Sequence, residues 1–425
     1  MRKILKKFKT VLKTFPSVHG RYLDAAFRWK SYKIARTWTN LPNSGLSKAQ
    51  PETLIFSRYG TETVGNHLIQ LGLLRVLFAV SPGRPVYLLS TEIATTEAGL
   101  LGLQELLSLT PDSAPLAHFI EKNVCVVGEE KIYTIARGDL LILGGGPIMD
   151  DPELTKWHLW FQCAHRVGAR IMIAGCGLGP LRKAGPISIV EAMVSLADTA
   201  VIRNKPSSNF ISATKSPFSV ALDPAFLCMP FIEPLVGAKK RLLAINTRRI
   251  GSDCVADRVI SDDDVSEMVL NHALSLEKWT HIEEVMPFST CEHVSAPDSM
   301  LANRVASAIA RDLDIPIHPL PATTVMGIIN ALLPAEYVLS TRMHGFIMGL
   351  MLGCRSANLD YISGGGKGAE LYRDWLGRSS SPSLFDPGSL HREDFLLLDD
   401  LKDVLASIDS LLETYSLAIR QALAE

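Results

Sequence analysis

Arg342 and His344 stand two residues apart, directly after a short apolar run (Tyr337, Val338, Leu339) that ends in Ser340-Thr341, and directly before a strongly apolar helical stretch beginning at Gly345. An arginine holds anions in a planar fork, and a histidine exchanges a proton near neutral pH. A chain patterned this way buries the strand and the helix. It leaves the two polar side chains at the strand's carboxyl end, where open α/β sheets bind ligands. The plainer alternatives are an ion pair for Arg342 and a satisfied histidine at a helix start for His344.

Other strand ends carry related signals. The apolar run from Asp139 to Leu143 leads into Gly144-Gly145-Gly146-Pro147, where glycine lets the backbone approach a ligand closely. One strand later Ile173-Ala174-Gly175-Cys176-Gly177-Leu178-Gly179-Pro180 repeats the theme, and Ala200-Val201-Ile202 delivers Arg203. An arginine beside two glycine loops reads as an anion contact, against a surface salt bridge as the alternative. Asn66 opens the first long helix, either as its cap or against a substrate. Lys367, after Asp360-Tyr361 and three glycines, offers a further cation. Asp150-Asp151 suits a helix start better than a metal or a sugar hydroxyl. The chain contains no G-x-S-x-G, no H-E-x-x-H, no G-x-x-x-x-G-K-S/T and no His/Cys set at zinc spacing, so no metal ligands are assigned.

The elements that must position these residues alternate strand and helix. Strands are expected at 54–56, 85–89, 124–127, 139–143, 170–174 and 199–202, with helices at 66–80, 97–109, 157–167 and 187–197. A second series places strands at 241–246, 283–288, 337–339 and 356–359, with helices at 261–279, 299–312, 323–332 and 346–352. Such alternation predicts parallel sheets covered by helices. The proline-bearing stretch 212–240 separates the series. The expected organisation is a basic extension and linker at 1–51, a Rossmann-like domain at 52–215, a second at 216–395 and a helical region at 396–425. The fold class is α/β, with two Rossmann-like domains facing one cleft.

Charge is unevenly spread along the 425 residues. Residues 1–36 hold eleven Lys/Arg and one acid, Asp24, which leaves the remainder with 32 basic and 43 acidic residues. An acidic body argues against general nucleic-acid binding. Ile4, Leu5, Phe8, Val11, Leu12 and Phe15 recur at helical spacing among lysines. That pattern suits a helix lying on an anionic membrane face, or one docked on the body. No run of about 18 uncharged apolar residues occurs, the length a membrane span requires. The seven cysteines are scattered without C-x-x-C spacing, as in reduced cytosolic proteins. The expected location is cytoplasmic, with peripheral contact at the inner membrane face through residues 1–36.

Taken together, Gly144-Gly145-Gly146, Gly175 to Leu181, Arg203 followed by Ser207 and Ser208, Asp223-Pro224-Ala225-Phe226, and Ser340 to Gly345 make the chain resemble the polysaccharide pyruvyl transferase family. The family commonly shows N-x-G-D where this chain has Thr63-Val64-Gly65-Asn66, and an acid where Asn204 stands; both departures bear on the acceptor. The resemblance implies a GT-B-like pair of domains. It implies transfer of a pyruvyl group from phosphoenolpyruvate to two sugar hydroxyls of a cell-surface glycan or its lipid-linked precursor. On that reading His344 is the general acid, and Arg342 and Arg203 hold the donor's anions. Gly144, Gly145, Gly146, Gly177, Gly179, Asn66 and Lys367 contact substrate. No cofactor is implied, phosphoenolpyruvate being the donor substrate. The partners implied are that donor, the glycan acceptor and, as an assembly, a homo-oligomer. A nucleotide-sugar glycosyltransferase and a non-catalytic glycan-binding protein are the competing readings.

Overall fold

The structure, a computed structural model, describes residues 48, 50–59, 63–151, 153–179, 181, 184–204, 218–250, 260–292, 297–362, 366–378, 381–401 and 408–424. The basic segment 1–36, most of the linker to 51, and Ser207 and Ser208 lie outside the described residues.

Strand and helix alternate through the first half: β1 (Thr53–Phe56), α1 (Val64–Val80), β2 (Val86–Ser90), α2 (Ile93–Ser108), α3 (Ala114–Asn123), β3 (Val124–Gly128), β4 (Leu140–Gly144), the two-residue β5 (Pro147–Ile148), α4 (Glu153–Val167), β6 (Arg170–Leu178), α5 (Ala184–Leu196), β7 (Thr199–Ile202) and β8 (Phe218–Val220). These strands form one parallel sheet in the order β3-β2-β1-β4-β6-β7-β8, with β5 paired to β6. The second half continues with β9 (Lys240–Asn246), α6 (Asp262–Thr280), β10 (Glu284–Pro287), α7 (Asp298–Leu313), α8 (Val325–Leu332), β11 (Ala335–Ser340), α9 (Met343–Met351), β12 (Arg355–Asn358), α10 (Lys367–Leu376) and α11 (Ile408–Ala424). Its sheet is parallel too, in the order β10-β9-β11-β12. Continuous apolar runs such as Leu140–Leu143 are buried along their whole length, as parallel strands covered on both faces must be. The fold is α/β, two Rossmann-like domains facing a cleft in the GT-B manner.

Three hydrophobic clusters divide the interior. One covers the outer face of the first sheet and one the outer face of the second. The third joins the two domains, uniting α1 with α8, α9, α11 and the helical turns that begin at Pro224. The sequence reading placed the interdomain crossing from residue 212, but Phe218–Val220 pairs with β7 as the last strand of the first sheet. The crossing therefore starts at Ala221. It is wedged tightly: a Cβ on Gly72 would lie 2.0 Å from the Pro224 carbonyl oxygen, and one on Gly175 (φ +69°) 2.2 Å from Pro224 Cγ. Tyr415 on α11 donates its hydroxyl to the Leu222 carbonyl at 2.9 Å, tying the carboxyl-terminal helix to the same segment.

Several expected boundaries move. The first helix starts at Val64, so Asn66 sits inside it and Thr63 holds the cap position. Strand β6 runs on to Leu178, taking in Gly175 and Gly177. The helix after β11 starts at Met343, which puts His344 in its first turn. Strand β8 and the helices α3 and α10 were not expected. No helix among the described residues is long and apolar enough to cross a membrane.

Candidate active site

The carboxyl ends of both sheets converge on one cleft of about 380 Å³. From the first domain it is lined by Arg58 after β1, by Gly65 and Asn66 on α1, by Gly146 and by Arg203. From the second come Arg248 and Arg249 after β9, Asp298 on α7, Arg342 and His344 after β11, and Asp360 and Tyr361 after β12.

The β11–α9 turn is fixed by its neighbours on both sides. Burial of Val338 and Leu339 on the strand and of Phe346, Ile347 and Met348 on the helix contributes about 1.5–3 kcal/mol each. Between them, the Ser340 hydroxyl accepts the Arg342 N–H at 3.0 Å, and Thr341 Oγ1 accepts the Arg248 N–H at 2.9 Å. A Cβ on Gly345 would stand 2.6 Å from Ser340 Oγ, so a larger residue there would open the turn. The turn thus aims Arg342 and His344 into the cleft and couples them to the end of β9.

Arg342 is gripped from behind. Its Nε donates to Asp298 Oδ2 at 2.6 Å, and Nη2 contacts the same oxygen. Asp298 is buried, which lifts its carboxyl above the ordinary value; the Arg342 and Arg248 guanidiniums pull the other way without cancelling that lift. Arg248 stacks on Tyr361, with its Cζ 4.7 Å from the ring centre, and donates to the Tyr361 hydroxyl at 2.6 Å. Asp360 accepts the backbone N–H groups of Ile362, Gly366 and Ala369 and so ties the loop to the start of α10.

His344 is held across the domain boundary. Its Nε2 lies 3.5 Å from Asp223 Oδ2. A Cβ built on Gly65 would fall 2.2 Å from both His344 Cγ and Nδ1, so the start of α1 packs directly on the ring. The same Asp223 oxygen is paired with Arg203. Burial alone would raise the Asp223 carboxyl, but the Arg203 guanidinium, aided by His344, holds it well below the usual carboxylate range.

Of the residues singled out in the sequence, Arg203, Arg342, His344, Asn66 and Gly146 meet at the cleft. Asn66 donates its side-chain amide to the Arg58 carbonyl at 3.2 Å, bracing the loop after β1. Gly144 and Gly145 do not line the cleft. A Cβ on Gly144 would meet Ile55 and Leu73 at 2.8 Å, and one on Gly145 would meet Ile69 at 2.3 Å, so these two serve packing. Gly177 lies behind the cleft wall, where a Cβ would stand 3.0 Å from Arg203 Nε; it makes room for that guanidinium. A Cβ on Gly179, at φ +104°, would meet among the described residues the Leu181 backbone N, at 3.5 Å. Lys367 begins α10 at the rim, and its side chain lies outside the described residues. Asn204 turns away from the cleft and brackets Leu178, accepting its N–H at 2.8 Å and donating to its carbonyl at 3.0 Å. Asp151 accepts the Glu153 N–H at the start of α4 and pairs with Arg58. Sequence reasoning missed Arg248, Arg249, Asp298 and Arg58. Among the described residues no group of three or more His, Cys, Asp or Glu is placed to hold a metal ion.

A family profile described as polysaccharide pyruvyl transferase matches residues 26–363, most of the chain. Among the curated proteins, none matches. Among solved structures, the chain is similar to a putative UDP-N-acetylglucosamine 2-epimerase from Listeria monocytogenes, at TM-score 0.47 and 10% identity over 87% of this chain and 91% of that one. It is similar also to the trehalose-6-phosphate phosphatase N-terminal domain of Candida albicans, at TM-score 0.48 and 10% identity over 89% and 98%. A glycosyltransferase from Rickettsia africae matches at TM-score 0.43 and 10% identity over 88% and 93%.

Proposed function

The chain belongs to the polysaccharide pyruvyl transferase family, and on that premise we propose that it moves the pyruvyl group of phosphoenolpyruvate onto two hydroxyls of one sugar, in a cell-surface glycan or its lipid-linked precursor, as a ketal. The observation that carries this reading is the pairing of His344 with Arg342 on one rigid turn in a cleft lined by guanidinium groups. The donor bears a phosphate and a carboxylate, and planar guanidinium forks suit both.

The chemistry runs as an addition followed by a displacement. His344, as imidazolium, gives its proton to the donor's methylene carbon, which takes it with the C=C electron pair. The cationic carbon left behind is attacked by a sugar oxygen, whose proton passes to the now neutral ring. A second hydroxyl of the same sugar then attacks that carbon and displaces phosphate; its proton leaves on the phosphate. Arg342, fixed by Asp298, balances the phosphate charge in both steps, and Arg248 supplies a further cationic edge. General acid catalysis of this kind contributes typically about 10²–10⁴-fold.

Phosphate release from phosphoenolpyruvate in the presence of a panel of free and lipid-linked glycans tests the reading, with thermal shifts against UDP- and GDP-sugars run beside it. Release with at least one glycan and a shift with phosphoenolpyruvate alone are expected. Shifts only with nucleotide sugars would transfer the site to glycosyl transfer. We extend the proposal to residues 1–36, whose basic amphipathic pattern suits an anionic membrane face. Deleting them should lower recovery with membranes and leave turnover on a soluble acceptor unchanged; equal recovery would remove the anchoring role.

A further inference from the structure

We propose that Asp223 is a positioning residue, holding His344 by Nε2 so that Nδ1 is the nitrogen that exchanges the proton with substrate. The inference rests on the reading of His344 as the proton donor and adds which atom acts and what aims it.

His344 Nε2 is buried and makes no hydrogen bond among the described residues. The group facing it is Asp223 Oδ2, at 3.5 Å, long for a hydrogen bond and of the length that tightens when a substrate closes the site. That carboxylate is held by its other partners and keeps acceptor capacity for the ring. Its Oδ1 takes the Ala225 N–H at 3.0 Å, and its Oδ2 is paired with Arg203. An ionised carboxylate only accepts, so the ring nitrogen turned toward it carries the hydrogen. In the neutral ring the bare nitrogen is then Nδ1, and in the imidazolium the proton available for delivery is the one on Nδ1.

The other ring edge fits this assignment. Nδ1 lies beside Gly65, where a Cβ would intrude to 2.2 Å, and Gly65 and His344 both line the cleft. A side chain at residue 65 would cover that edge. Asp223 itself cannot drift. Its segment is pressed between Gly72 and Gly175, tied by Tyr415 to α11, and closed by the Arg75 guanidinium, which donates to the Leu227 carbonyl at 2.8 Å. One buried carboxylate at the start of the crossing between the domains thus orients a histidine of the second domain, and Arg203 of the first domain orients the carboxylate. In the transfer the Nδ1–H bond breaks, its electron pair stays on the ring, and the proton goes to the donor's methylene carbon. This is the arrangement in which the partner behind a working imidazole fixes its tautomer.

The test is the two-bond nitrogen–proton spectrum of 15N-histidine-labelled full-length chain without ligand, His344 being assigned by the signal lost in His344→Gln. Protonation on Nε2 with a bare Nδ1 in the neutral ring is expected; a ring protonated on Nδ1 overturns the inference. In Asp223→Asn the ring should lose that single pattern, and kcat should fall about 10- to 100-fold with KM for phosphoenolpyruvate unchanged. A folded Asp223→Asn with the parent's spectrum and kcat would also overturn it. Should that variant not fold, the spectrum of the parent chain still decides. Because the spectrum needs no substrate, an Nε2–H ring in a protein inert toward phosphoenolpyruvate would sink the pyruvyl-transfer reading and leave the positioning contact standing. Turnover with an Nδ1–H ring would do the reverse.

Discussion

Each domain presents an arginine at the end of a parallel strand, Arg203 after β7 and Arg342 after β11, and each arginine meets a buried aspartate. Their situations then diverge. The Arg203 side chain is only 4% exposed; Gly177 clears space for its guanidinium, and Asp223 takes its charge. The Arg342 side chain is 24% exposed, with Asp298 gripping Nε and Nη2 from the buried side. The first pair is sealed and aims a third group, His344. The second is braced and presents its outer edge to the cleft. On the proposed function, the same two residue types serve in one domain to build the site and in the other to bind, and burial decides which.

The largest expected effect falls on the group that the sealed pair aims. His344→Ala should lower phosphate release about 10²–10⁴-fold and leave phosphoenolpyruvate affinity, read by calorimetry, within a few-fold. Loss of affinity matching the loss of rate would make His344 a binding residue and blur the contrast.

Breaking the sealed pair should cost stability. Asp223→Ala removes the carboxylate paired with the buried Arg203 guanidinium, a loss of about 3–5 kcal/mol in urea unfolding. The double change Arg203→Met with Asp223→Leu should recover part of it. The pH dependence has a definite sign. A carboxylate held below its ordinary value adds stability above that value, about 3.9, and loses it as pH falls toward the lower folded value. The stability gap between the parent chain and Asp223→Asn should therefore hold from neutral pH to about pH 5 and close in stronger acid. A gap that widened in acid would contradict the pairing.

Arg342→Lys keeps the charge and loses the planar fork, so its effect should appear in binding. Hydrogen bonds to charged groups contribute about 1.5–3 kcal/mol, which predicts roughly a 10- to 100-fold weaker affinity for phosphoenolpyruvate with little change in unfolding midpoint. The opposite split, a lower midpoint with affinity intact, would place Arg342 with Arg203. The smallest effect is expected for Tyr361→Phe. It removes the hydroxyl that takes the Arg248 N–H at 2.6 Å and keeps the stacked ring that holds the guanidinium, a change visible as a few-fold rise in KM.

Much of this contrast was not legible in the sequence, for identifiable reasons. Strand and helix alternation, the cleft at the strand ends, and the Arg342–His344 turn were all readable, because they follow from apolar periodicity and from polar residues breaking it. Arg248 was readable in principle. Strand β9 ends in Asn246-Thr247-Arg248-Arg249, the same signal that marked Arg203 and Arg342. The glycines misled because glycine serves ligand approach and packing alike. The neighbours that separate these uses, Ile69 for Gly145 and Arg203 for Gly177, come from other elements. Asp298 could not be found at all, since nothing local distinguishes an aspartate at a helix start that will meet an arginine 44 residues away. The pairing of Asp223 with both Arg203 and His344 has the same non-local origin.

The most direct measurement is the reaction run in deuterium oxide with phosphoenolpyruvate and the glycan panel, the product read by mass spectrometry. Protonation of the methylene carbon by His344 predicts a glycan ketal whose new methyl group carries one solvent deuteron, formed with release of one phosphate. Phosphoenolpyruvate left intact across the panel, while a UDP- or GDP-sugar is consumed in the same cleft, would contradict the account.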